Sequence, residues 1–124
     1  MSVNGKAAQR KVLIVGISDY VNLDKLDFCR NDGIEVYEVL SSLGYEIPDE
    51  NKLVGEVNGE MVEKAIHDFF RDIRNNPDDT LLFYYSGHGV PDIYGDMYIA
   101  SSDIDPEEPY RRGFPLEKLV WKAT

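Results

Sequence analysis

The chain has 124 residues, which is room for one domain, and its 43% hydrophobic and 29% charged content is an ordinary globular balance. Twenty-three acidic residues against 13 basic ones give a net charge of −10. That argues against a surface for nucleic acid or for an anionic membrane, both of which need clustered Lys and Arg, and leaves solubility or an acidic site for a basic substrate.

Residues 1–10 are polar and lack the apolar core of a signal peptide, so they are expected to form a mobile leader before a domain at 11–124. No apolar run approaches the roughly 18–20 residues that a membrane span needs, and a cytoplasmic setting is the default. Lys11-Val-Leu-Ile-Val15 is a continuous apolar run closed by Gly16, the pattern of a strand buried on both faces of a parallel sheet. A polar loop follows from Ser18 to Lys25. Phe28, Asp32, Val36, Leu40 and Leu43 then fall at helical spacing and Gly44 suits a helix end, which predicts a helix over about 27–43. Its first turn holds Cys29, the single cysteine, which excludes an intrachain disulfide framework and a Cys-rich zinc site.

Residues 52–57 read as a second, weaker strand, and Asn58 suits the N-cap of a second helix. Met61, Val62, Ala65, Ile66, Phe69, Phe70 and Ile73 form its apolar stripe, and Asn75 to Asp79 ends it. Thr80 to Tyr85 is a third apolar strand, running into Ser86-Gly87-His88-Gly89. A short fourth strand at 96–100 precedes an acidic loop, and a helix follows from Pro115 to Trp121. This alternation implies an α/β sandwich with a mostly parallel sheet.

In such sheets, ligands bind outside the carboxyl ends of the strands. Three polar groups are expected there: the loop from Gly16 to Asp24, the helix start with Cys29, Asn31 and Asp32, and the turn Ser86 to Gly89. His88 stands between two glycines with no bulk to shield it. By position it is either a general base or a loop histidine bonded to the backbone. His67 sits within the second helix and reads as a surface or boundary residue. Ser86 lies on the same turn as His88 and lacks a Gly-x-Ser-x-Gly elbow, so a serine–histidine pair is not expected. Cys29 could supply a thiolate but lies on a first helical turn beside Phe28. Asp32 is read either as a pocket carboxylate or as a charge favoured near a helix N-terminus.

Tyr84-Tyr-Ser-Gly-His-Gly89 resembles the histidine motif of the caspase, metacaspase and paracaspase peptidases. Val12-Leu-Ile-Val-Gly-Ile-Ser-Asp-Tyr20 resembles that group's first strand. Leu26-Asp-Phe-Cys-Arg-Asn-Asp32 resembles the Cys-x-x-Asp segment of metacaspases, and Tyr98-Ile-Ala-Ser-Ser-Asp103 the strand and aspartate after the histidine loop. The resemblance runs from about Lys11 to Trp121. It implies a caspase-like three-layer α/β/α sandwich, truncated before the strand bearing the catalytic cysteine. In this family the cysteine follows the histidine by roughly 50 residues, beyond Thr124.

By resemblance, His88 is the base of a Cys–His dyad and the Gly89 N–H helps bind the oxyanion. Cys29, Asp32 and Ser86 match an acidic substrate pocket for Arg or Lys. The implied partners are a polypeptide substrate with Arg or Lys before the cut, the C-terminal remainder of the fold, and regulatory domains. No cofactor is expected. Calcium activates many metacaspases, but Asp92, Asp96, Asp103, Asp105, Glu107 and Glu108 lack a regular ligand spacing. Gly113-Phe-Pro-Leu116 also replaces the family's paired aspartates. The rival expectations are an inactive caspase-like interaction module and an unrelated flavodoxin-like binding domain. The latter is weakened because no Gly-x-Gly-x-x-Gly or Walker-type loop follows the first strand.

Overall fold

The computed structural model describes residues 8–71 and 77–123, the last four of these for their backbone only. The expected leader falls mainly outside the described residues, as do Ile73, Asn75, Asn76 and the side chain of Trp121. Strand β1 covers Arg10–Ile17, and all of Val12 to Ile17 is buried. A strand buried on both faces needs a neighbour on each edge and a helix on each face, and β1 has all four. β2, Lys52–Gly55, and β3, Thr80–Ser86, both pair with it in parallel, in the order β2-β1-β3.

The two faces of β1 are covered by different helices. Leu13, Val15 and Ile17 pack in one apolar cluster with Val62, Ile66 and Phe69 of α2, Gly59–Arg71. On the other face, Ile14 and Gly16 meet Gly33 of α1, Cys29–Ser42. Helix, sheet and helix therefore form three layers, as right-handed crossovers from β1 to β2 and back to β3 require. The two helices differ in kind. α2 buries three large apolar residues, as its stripe predicts, whereas the buried residue of α1 is Gly33.

Helix α1 begins later than its spacing suggests. Phe28 precedes it and is 75% exposed, and Leu43 at its other end is 62% exposed, so neither packs on the sheet. The reason is a remote cap. The buried hydroxyl of Ser18 accepts the Arg30 N–H at 2.6 Å and fixes where the helix starts. The second strand also stops short, at Gly55, whose φ of +90° turns the chain away.

The predicted fourth strand lies in a separate sheet. β4, Gly89–Pro91, β5, Met97–Ile99, and β6, Phe114–Pro115, pair antiparallel in the order β4-β5-β6. α3, Leu116–Ala123, follows at once. Ser102 and Asp103 fasten this sheet to the segment that leads from β2 into α2. Ser102 exchanges hydrogen bonds with Val57, through its own N–H to the Val57 carbonyl and from the Val57 N–H to its hydroxyl, both at 2.7 Å. Asp103 accepts the Gly59 N–H at 2.7 Å, capping α2. Among the described residues no helix is long and apolar enough to cross a membrane.

Candidate functional site

The carboxyl ends of β1 and β3 lie side by side, with Gly16 opposite Ser86. Helix α1 comes unusually close to this edge. A Cβ on Gly16 would lie 2.5 Å from the Cys29 carbonyl oxygen, and one on Gly33 would lie 2.9 Å from a Val54 methyl. With glycine on both sides, the first turn of α1 sits directly against the end of the sheet. That carries the Asp32 carboxylate to the Ser86 hydroxyl, which donates to it at 3.2 Å. Asp32 and Ser86 therefore form one polar group across the layers. Cys29, half-buried, stands at the start of the same turn, with its carbonyl against Gly16.

His88 continues from β3 over the same edge. Its Nε2 lies 2.8 Å from the backbone carbonyl oxygen of Asp24, in the loop between β1 and α1. A carbonyl can only accept, so this contact assigns the proton to Nε2 and makes Nδ1 the lone-pair nitrogen of the neutral ring. The Tyr20 ring meets the imidazole edge-on with centroids 4.7 Å apart. The sequence places the loop from Gly16 to Asp24 at this edge but singles out neither Tyr20 nor Asp24 within it. The Asp24 group is a backbone atom, and Tyr20 stands in a loop without periodicity.

Gly89 opens β4 opposite Ile99, and the Ala100 N–H donates to the His88 carbonyl at 3.1 Å. That pattern makes Gly89 and Ile99 a pair without mutual backbone bonds, so the exposed Gly89 N–H points away from β5. The edge thus holds an imidazole whose Nδ1 carries the lone pair, an outward N–H beside it, and a carboxylate–hydroxyl pair. A lone-pair nitrogen can accept a proton and an outward N–H can bind an oxyanion, which are two of the parts that acyl transfer needs.

The acidic loops are committed to local turns. Asp92 accepts the N–H groups of Tyr94 and Asp96, and Asp105 accepts that of Glu107. Among the described residues no group of three or more His, Cys, Asp or Glu could hold a metal ion.

The caspase domain family model matches residues 9–119. Metacaspase-1A of Aspergillus terreus and that of Aspergillus niger are each 32% identical over 98 residues, which is 71% of this chain and 24% of theirs. Metacaspase-1 of Coccidioides immitis is 33% identical over 98 residues, covering 21% of its own length. The chain therefore spans about a quarter of the length of the curated relatives it matches.

Proposed function

The chain belongs to the caspase-domain family of cysteine peptidases, and from that premise we propose that it carries the histidine half of an endopeptidase site cutting after Arg or Lys. The observation that carries the reading is the His88–Asp24 contact at 2.8 Å, which turns Nδ1 into the available base. The nucleophile is a cysteine thiol from a segment outside these 124 residues. β3 is the outer strand of its sheet among the described residues, and Leu81 and Leu82 are partly exposed on it. A further parallel strand can add there and bring a thiol to the His88 edge.

The reaction runs in two halves. His88 Nδ1 takes the thiol proton, the thiolate adds to the scissile carbonyl, and the Gly89 N–H stabilises the oxyanion. Collapse expels the amine, which takes the proton back from Nδ1, and leaves a thioester. Water, deprotonated by the same nitrogen, hydrolyses the thioester and restores the thiol. Asp32, braced by Ser86, offers a carboxylate to a guanidinium or ammonium group on the residue before the cut, with Cys29 beside it.

The test is turnover of a peptide with Arg before the cut by the full-length protein. His88→Ala is expected to lower kcat by about a thousandfold or more, with the fold retained. Native turnover by that variant sinks the reading.

A further inference from the structure

Two phenol oxygens lie under the His88 loop. The Tyr20 hydroxyl accepts the His88 backbone N–H at 2.9 Å, and the Tyr85 hydroxyl donates to the His88 carbonyl at 2.6 Å. Both also reach the Ala100 carbonyl, at 3.3 Å from Tyr20 and 3.2 Å from Tyr85. Each phenol has one proton to give. The shorter contact sends the Tyr85 proton to the His88 carbonyl, which also accepts the Ala100 N–H, and leaves the Tyr20 proton for the Ala100 carbonyl. His88 is then held at its N–H and at its carbonyl, while Asp24 holds the ring.

Gly87 shows how closely the loop rests on this pair. A Cβ there would lie 2.7 Å from the Tyr20 hydroxyl oxygen and would overlap the Tyr85 hydroxyl. Burial holds both phenols above their usual range, so they stay protonated wherever an imidazole titrates. The rings themselves pack on the main apolar cluster, a task that phenylalanine could perform. What the oxygens add is an acceptor for the His88 N–H and a second donor, beside the Ala100 N–H, to its carbonyl.

We propose that the Tyr20 and Tyr85 hydroxyls are positioning groups for His88: they set its backbone so that Nε2–H meets the Asp24 carbonyl and Nδ1 stays free at the sheet edge. The inference rests on reading His88 as the base. Neither hydroxyl bonds the imidazole: both act on the His88 backbone, while the Tyr20 ring meets the imidazole only edge-on. Their effect passes through the orientation and tautomer of one ring.

The experiment uses this chain labelled with nitrogen-15. The sequence has two histidines, and His67, exposed on α2, serves as the internal control. Long-range proton–nitrogen spectra report which ring nitrogen carries the proton. In the native chain, the neutral His88 ring is expected in the Nε2–H form. In Tyr20→Phe and in Tyr85→Phe it should move toward a tautomer average. In Tyr20→Phe, which removes the acceptor of the His88 N–H, that amide should exchange roughly fivefold faster, as loss of one ordinary hydrogen bond allows, while His67 does not move. Native His88 signals and native exchange in both folded variants overturn the proposal. If a variant does not fold, uniform 3-fluorotyrosine is the second probe. It weakens the phenol oxygen as an acceptor with little change of shape, so the His88 amide signal should shift, and an unmoved signal overturns the proposal. The readout is a ring proton rather than turnover. An active His88→Ala enzyme would remove the peptidase reading and leave this spectrum as measured.

Discussion

The two faces of the parallel sheet are covered in opposite ways. Under α2, Leu13, Val15 and Ile17 interlock with Val62, Ile66 and Phe69, all buried. Under α1, Gly16 lies against Gly33 with Ile14 and Val54 beside them, while Val39 of that helix is 57% exposed. Large interlocking side chains keep a helix at arm's length and stabilise it by burial. Facing glycines bury little but let backbones approach. The first face holds the domain together, and the second brings the start of a helix within reach of a strand end. Asp32 can touch Ser86 because no side chain stands between Gly16, at the end of β1, and the first turns of α1.

Breaking the first face should cost most. Ile66 is fully buried, and Ile66→Ala removes its atoms and leaves a cavity that the neighbours only partly fill. A loss of about 2–5 kcal/mol is expected in urea unfolding, with the midpoint shifted and the slope unchanged. The second face should fail by overpacking. Gly16→Ala places a methyl 2.5 Å from the Cys29 carbonyl oxygen, a backbone atom that cannot rotate aside. A loss of about 1–3 kcal/mol is expected, together with altered Asp32 and Ser86 signals as α1 moves out. Gly33→Ala meets a Val54 methyl instead and should cost less. If Gly16→Ala left stability and those signals native, close approach would not be what joins Asp32 to Ser86.

How far this contrast is legible in the sequence depends on which interaction sets each element. β1 and α2 are legible because burial sets them. A continuous apolar run marks the strand, and paired apolar residues at every third and fourth position mark the helix. The convergence of the first loop, the start of α1 and the Ser86–Gly89 turn follows from parallel strand order. The start of α1 is not legible, because its cap is Ser18, 12 residues before Arg30, rather than a side chain at the helix end. β4 and β6, with three and two residues, are too short to show a period. In the candidate site, His88 stands out between its glycines. The Asp24 carbonyl carries no side-chain signal, and Tyr20 and Tyr85 look in sequence like ordinary packing aromatics. Position and topology therefore reveal the ring but not what orients it.

The smaller effects sharpen the contrast within the α1 face. Ser18→Ala removes the oxygen that accepts the Arg30 N–H and leaves that donor without its partner. Loss of a helix cap costs about 1 kcal/mol, and faster exchange at the Arg30 amide should accompany it. Slow exchange at Arg30 in the variant would mean that another group caps α1.

Val39→Ser should do least. Val39 is 57% exposed and lines a shallow groove beside Leu82 and Tyr84, so the substitution changes a largely solvated side chain and leaves Gly33 on Gly16. Its cost should stay within about 0.5 kcal/mol, near a tenth of the upper value for Ile66→Ala. The two variants together test what each helix contributes. If Val39→Ser were as costly as Ile66→Ala, α1 would be held by its apolar residues after all. Its nearness to the Ser86 edge would then be a by-product of packing rather than the result of two facing glycines.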